Sequence, residues 1–249
     1  MPPQLRVSRP HVVGAACLLA YWVVLVAVVV GVGWLVVHVG AVDRFDRHVT
    51  AWAVAHRTPA LDRVFRAVTS LGSWVAVVVA GVVVAVPVLR RRLPAEVLVA
   101  FAVAWAGEYG AVNLGKFLVG RARPPRELWL VTAHGASFPS GHAANAALVG
   151  GALVALAVRL GARTPVRRTA VVLACLGTAA VAWSRVQLGV HWTSDVVAGV
   201  LVTVAWLVAV RRWVPTGTGA PDTDRADGTD RVPAPAPSDP AADGATTVR

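Results

Sequence analysis

At 249 residues, 56% of them hydrophobic, and with a mean hydropathy of +0.62, the chain is far more apolar than a soluble domain that must keep a wet surface. Its formal charge of +11 comes from 24 basic and 13 acidic residues, yet no basic run interleaved with aromatics lies in a polar segment. The composition therefore excludes a soluble fold and a nucleic-acid partner, and the charge excess reads as loop arginines orienting membrane helices.

Residues 1–11 carry Arg6 and Arg9 and read as a short cytoplasmic N-terminus. The apolar stretch that follows, from about 12 to 42, is longer than a signal-peptide core, so it is expected to be an uncleaved first span. Between 43 and 70, Phe45, Val49 and Trp52 fall at helical spacing, as do Leu61, Val64, Phe65 and Val68. They predict short amphipathic helices on the membrane face whose apolar sides pack against the spans. Further spans are expected at about 73–89, 96–118, 142–160, 169–188 and 194–210, each near the ~20 residues that cross a hydrocarbon core. The fold class is thus all-α, a six-span transmembrane bundle over 12–210. Beyond it, residues 211–249 are rich in Pro, Asp, Ala, Thr and Gly and read as a disordered cytoplasmic tail. Cys17 and Cys175 fall in apolar segments and read as small buried hydrophobes.

Arginines mark the loops unevenly. Arg90, Arg91 and Arg92 follow the second span, Arg159, Arg163, Arg167 and Arg168 the fourth, and Arg211 and Arg212 the sixth. By parity these share one side with Arg6 and Arg9, which places both termini in the cytoplasm. Heavy use of Arg, Ala, Val and Gly suggests a GC-rich bacterial gene, hence a multi-pass protein of the bacterial cytoplasmic membrane.

Three clusters remain, and the same parity puts all of them on the outer side. KFLVGRARP (116–124) closes the third span, FPSGH (138–142) opens the fourth, and SRVQLGVHWTSD (184–195) joins the fifth to the sixth. Lys116, the only lysine among the 24 basic residues, combines with Arg123 and Arg185 to offer three positive charges. These suit a phosphate and the charge that builds during in-line displacement, which leaves a metal ion redundant. Ser140 and Gly141 sit where a helix N-terminus presents free N–H groups to an anion. His142 follows directly and could protonate a leaving oxygen. His191 is the better nucleophile, because Asp195 four residues on can hold one ring nitrogen and leave the other free. Each residue has a plainer explanation: Lys116 snorkelling, Ser140 capping a helix, Asp195 as a first-turn charge, His191 as a hydrogen-bonded interface histidine. Jointly these do not explain why the lone lysine, two arginines and two histidines gather on one side.

The patterns KxxxxxxRP (Lys116, Arg123, Pro124), PSGH (Pro139 to His142) and SRxxxxxHxxxD (Ser184, Arg185, His191, Asp195) together resemble the type 2 phosphatidic acid phosphatase superfamily. The stretch LDRVFRAVTSLGSW before the second span is also similar to bacterial membrane members. The resemblance implies a metal-independent hydrolase without cofactors that cleaves a lipid phosphate or diphosphate. Phosphatidic acid, phosphatidylglycerophosphate and undecaprenyl diphosphate are its candidate substrates, with membrane lipids as surroundings and no oligomeric state specified. It implies that His191 forms a phosphohistidine with Asp195 behind it and that His142 serves the leaving oxygen. It further implies that Lys116, Arg123, Ser140, Gly141 and Arg185 bind phosphoryl oxygens, with Arg121 a supporting match. A phosphotransferase using the same site with another acceptor is the nearest alternative, and a non-catalytic anionic-lipid binding or transport protein a more distant one. On the third span Tyr109, Asn113 and Lys116 share a face with Glu108 beside it, so Glu108 or Asn113 is expected to position the Lys116 helix end.

Overall fold

Helix α1 (Arg9–His38) opens a computed structural model that describes the backbone of residues 9–213 and the side chains of 14–212. It is followed by α2 (Gly40–Ala55), α3 (Pro59–Val68), a 3-10 turn (Thr69–Gly72), α4 (Trp74–Leu89), α5 (Glu96–Val119), a second 3-10 turn (Arg126–Leu128), α6 (Gly141–Arg159), α7 (Thr164–Gln187) and α8 (Thr193–Trp213). Every regular element among the described residues is helical. The N-terminal segment before residue 9 and the expected tail beyond 213 lie outside them.

Five helical segments are long and apolar enough to cross a membrane: Gly14–His38, Glu96–Val119, Gly141–Arg159, Thr164–Gln187 and Thr193–Arg212. The second expected span, 73–89, differs. Helix α4 has 16 residues and rises about 24 Å, short of a hydrocarbon core of about 30 Å. It reaches span length only together with Pro59–Gly72, from which it is bent by 50°. The first apolar stretch also ends earlier than expected, at His38, and residues 40–42 begin α2. Helix α7 begins earlier than hydropathy suggests, because Pro165 stands in its first turn and starts a helix whose opening residues include Arg167 and Arg168.

Helix α6 is the hub, packing against α7, α8, α4 and α5. Its buried face is Ala143, Ala144, Ala146, Ala147, Leu148 and Gly150, and so many small side chains let neighbouring backbones come close. A second cluster joins α1 (Leu25, Val29), α5 (Ala104, Ala111) and α8 (Val202, Trp206). Trp206 is buried there with its indole N–H 3.0 Å from Ala104 O, so its one polar atom is satisfied. Val78, Val82, Val172, Leu176 and Leu201 point outward, as does Cys175, which is exposed and not the buried hydrophobe expected.

The amphipathic segment is helical as expected but turned the other way. On α2 the buried face is Asp46, Thr50 and Ala53, at i, i+4 and i+7, while Phe45 and Trp52 are 57% and 51% exposed. On α3 no residue is buried. In a chain surrounded by apolar helices, polar groups gain most from being turned inward toward partners, and the apolar side is left outside.

Candidate active site

The three sequence clusters meet at one end of the bundle. Helix α5 ends at Gly120, whose left-handed φ of 61° lets its N–H return to Lys116 O at 3.1 Å. Lys116 Nζ then donates to Ala136 O at 2.8 Å, tying the helix end to the far side of the linker. Arg123 is held by four carbonyls: Nε donates to Gly135 O (2.9 Å), Nη1 to Val190 O (2.7 Å), and Nη2 to His134 O (2.8 Å) and Ala136 O (3.2 Å). Burial lowers the Arg123 pKa from its ordinary value, though a guanidinium so far above neutrality stays charged.

Ser140 occupies the N-cap position of α6, yet its hydroxyl makes no capping bond, and Oγ is buried without a partner. The backbone does the joining instead, with Ser140 N–H donating to Asp195 O at 2.9 Å and so fastening the start of α6 to the start of α8. At Gly141 a Cβ would meet Val112 in ordinary van der Waals contact, at 3.7 Å.

From the end of α7, Arg185 lies 4% exposed and gives Nη1 to Thr69 Oγ1 at 2.8 Å, while its Nε has no partner. The chain then doubles back, and the N–H groups of Val190 and His191 donate to Arg185 O at 3.2 and 3.3 Å. His191 is 3% exposed. Its Nδ1 lies 3.4 Å from Asp195 Oδ2, long for a hydrogen bond, and its Nε2 lies 3.1 Å from Arg123 Nη1. An arginine only donates, so Nε2 is the acceptor and the ring proton belongs on Nδ1, facing Asp195. Burial lowers the His191 pKa to about 3 against the opposing pull of Asp195, which leaves a neutral imidazole with its lone pair toward the cations.

Asp195 is fully buried and accepts from Trp192 N–H (2.9 Å) and Arg121 Nη1 (2.5 Å) as well as facing His191. Arg121 therefore turns away from the open nitrogen of His191, and its other contacts are Ser194 Oγ (2.7 Å) and Asp46 Oδ2 (2.7 Å). The ring of His142 lies in the field of Arg185, Arg123 and Lys116.

Eight of the expected residues, Lys116, Arg123, Ser140, Gly141, His142, Arg185, His191 and Asp195, thus converge, with Arg121 behind them. Glu108 and Asn113 do not join. The Asn113 amide is exposed and donates to Tyr109 O at 2.7 Å, within its own helix. Glu108 is 1% exposed, two turns before Lys116, with Oε2 unpartnered. What holds the Lys116 side chain is the Ala136 carbonyl. Among the described residues no group of three His, Cys, Asp or Glu side chains is placed to hold a metal ion.

Sequence reasoning missed three residues that frame this site. Thr69 holds Arg185, and Asp46 holds Arg121 and Ser194. Arg57 donates to Gln187 O (2.9 and 2.6 Å) and to Leu128 O (2.9 Å), clamping the end of α7 to the linker. Beside Arg123 a cleft of about 390 Å³ opens between the end of α1, the start of α2 and the linker, lined by Val36, Val119, Arg47 and Trp192 among others.

Residues 96–218 match the family model of the PAP2 superfamily. Among solved structures the chain is similar to the first transmembrane PAP2 type phosphatidylglycerolphosphate phosphatase from Bacillus subtilis, at 25% identity and a TM-score of 0.66, over 79% of this chain and 94% of that one. No curated protein sequence matches the chain. All three converging clusters lie inside the matched region: residues 96–218 match the PAP2 superfamily, and the bundle around them has the fold of the solved phosphatase.

Proposed function

We infer that the protein is a lipid phosphatase that works through a phosphohistidine on His191 at the outer face of the membrane. The observation that carries this reading is the orientation of His191, with Nδ1 toward Asp195 at 3.4 Å and Nε2 toward Arg123 at 3.1 Å. The nitrogen able to attack therefore faces the positive charges that would hold its target.

In the first step the Nε2 lone pair attacks phosphorus, the bond to the lipid oxygen breaks, and His142 gives that oxygen its proton. Asp195 balances the positive charge that the ring acquires. In the second step His142 takes a proton from water, the new oxygen bonds to phosphorus, and the nitrogen–phosphorus bond breaks to release phosphate. The phosphoryl oxygens would take two buried donors of the site that lack acceptors, Ser140 Oγ and Arg185 Nε, together with Lys116 and Arg123. Gly141 has no side chain to keep an oxygen from the backbone at the start of α6.

The activity named for the similar Bacillus subtilis protein puts phosphatidylglycerophosphate first among the candidate substrates, ahead of phosphatidic acid and undecaprenyl diphosphate. Arg90, Arg91, Arg92, Arg163, Arg211 and Arg212 lie at the helix ends opposite the site, which supports cytoplasmic termini and an outward-facing site. The test is phosphate release by purified protein in mixed micelles with chelator present, from each of the three lipids, beside His191→Ala. Release that needs His191 and ranks phosphatidylglycerophosphate first is expected. No release from any of them by folded protein overturns the reading.

A further inference from the structure

Asp46 lies on α2, 75 residues before Arg121 and 148 before Ser194, yet its carboxylate is wholly buried against both. Oδ1 accepts the backbone N–H of Ser194 at 2.9 Å. Oδ2 accepts the Ser194 hydroxyl at 2.5 Å and Arg121 Nη2 at 2.7 Å. The Ser194 N–H belongs to the first turn of α8, where no intrahelical acceptor exists, so Asp46 caps from a distance the helix that carries Asp195.

The charges decide what this does. Arg121 bridges two buried carboxylates, Nη2 to Asp46 at 2.7 Å and Nη1 to Asp195 at 2.5 Å, and its side chain is 7% exposed, so water screens the group little. Alone, Arg121 and Asp195 would sum to zero. Asp195 would then have little field left for a histidine that becomes positive on attacking phosphorus. With Asp46 present, the group of two carboxylates and one guanidinium carries a net charge of −1, and the carboxylate oxygen of that group facing outward is Asp195 Oδ2, toward His191. A buried arginine on Oδ1 also fixes the Asp195 carboxyl plane together with the Trp192 N–H on Oδ2, since the long contact to His191 does not.

We propose that Asp46 is a positioning residue for the reaction: by neutralising Arg121 and capping α8, it leaves the full negative charge of Asp195, correctly oriented, to stabilise His191 in the transition state. The assignment rests on the phosphohistidine reading above. It concerns a residue outside the three site clusters and outside the matched region 96–218.

The test compares wild type, Asp46→Asn and the double variant Asp46→Asn/Arg121→Gln in mixed micelles, using phosphatidylglycerophosphate as probe. Asparagine keeps the shape and can still accept from the Ser194 N–H, but it takes the group to zero net charge. Its kcat is expected to fall about 30-fold with KM within about twofold, because the lost interaction acts in the transition state. Removing the Arg121 charge as well restores the net −1, and the double variant is expected to recover about tenfold of that loss. A merely structural role predicts the opposite, since deleting a second partner damages the packing further. Full kcat in Asp46→Asn, or a double variant no faster than the single one, overturns the proposal. Should Asp46→Asn fail to fold, the double variant carries the test: kcat within about threefold of wild type supports the charge argument, and a loss of more than about 30-fold refutes it. A wild type that releases no phosphate, or does so equally well as His191→Ala, strikes the phosphohistidine reading itself. That result is separable from a failure confined to the Asp46 variants.

Discussion

Arg123 donates directly to His191, Nη1 to Nε2 at 3.1 Å, so one of the groups expected to bind phosphate already touches the nitrogen expected to attack it. The contact fixes the imidazole tautomer from the pocket side while Asp195 faces the other nitrogen. Four backbone carbonyls aim the guanidinium, so the direction of that N–H is set by the linker fold. Substrate oxygen entering the pocket would take over this donor and free the Nε2 lone pair at the moment phosphorus comes into reach.

Arg123→Lys tests that arrangement. A lysine keeps the charge but has no planar fork, and it cannot satisfy the Gly135, Val190, His134 and Ala136 carbonyls together while reaching the pocket. We expect kcat/KM for phosphate release to drop by about 10²-fold to 10³-fold, the scale for losing a preorganised transition-state donor. A loss below about fivefold would show that charge alone suffices and that the fork has no part.

The acid limit of stability follows from His191. Its folded pKa of about 3 lies below the ordinary 6.5 because burial disfavours the charged ring. Between those values the unfolded chain binds a proton that the folded chain refuses, so stability rises with pH across the window. The contribution of neutral His191 is complete above about pH 6.5 and drains as the pH falls toward 3, with about 2 kcal/mol gone by pH 5. Denaturant unfolding in micelles at pH 7 and pH 5 should show wild type losing more than His191→Asn by roughly that amount. Equal losses in the two proteins would mean that the folded site accepts the proton.

Much of the fold and most of the site are legible in the sequence, for a physical reason. A span must satisfy its own backbone and keep its outer side apolar, so hydropathy locates α5, α6 and α8 within a few residues. The residues expected to face phosphate stand out because charged and imidazole groups at such helix ends are costly without a purpose. What escapes is the support. Asp46 and Thr69 are ordinary polar residues on a segment whose apolar periodicity drew attention to Phe45 and Trp52, which point outward. The polar pair Asp46 and Thr50, one helical turn apart, was the available signal for the buried face of α2. Helix α4 escapes for a related reason, since hydropathy measures apolar length and is blind to the 50° bend at its start.

Thr69 gives a sharper test of support. Its Oγ1 accepts Arg185 Nη1 at 2.8 Å, and no other hydrogen bond holds that guanidinium among the described residues. Thr69→Val keeps the volume and removes the acceptor, so Arg185 loses its aim and gains an unsatisfied buried N–H. We expect kcat/KM to fall about tenfold, and Thr69→Ser, which restores the acceptor, to bring back most of it. Equal activity in Thr69→Val and wild type would show that Arg185 is aimed by packing alone.

Gly199 sets how closely α8 approaches the start of α6. A Cβ there would lie 2.4 Å from Ser140 O, 3.3 Å from Ser140 C and 3.4 Å from Ala144 N, all backbone atoms that cannot rotate aside. Relief requires moving the N-terminus of α6 off α8, and the Ser140 N–H bond to Asp195 O at 2.9 Å stands in that path. Gly199→Ala is therefore expected to cost about 1–3 kcal/mol of stability and to lower kcat/KM beyond what the loss of folded protein explains. Gly177 on α7 is the control, because a Cβ there meets nothing within 4 Å. Alanine at that helical position should leave turnover unchanged and stability equal or higher by up to about 1 kcal/mol. Thermal unfolding and phosphate release measured on both variants check the pair. Equal behaviour of the two would mean that the start of α6 can yield without disturbing Ser140.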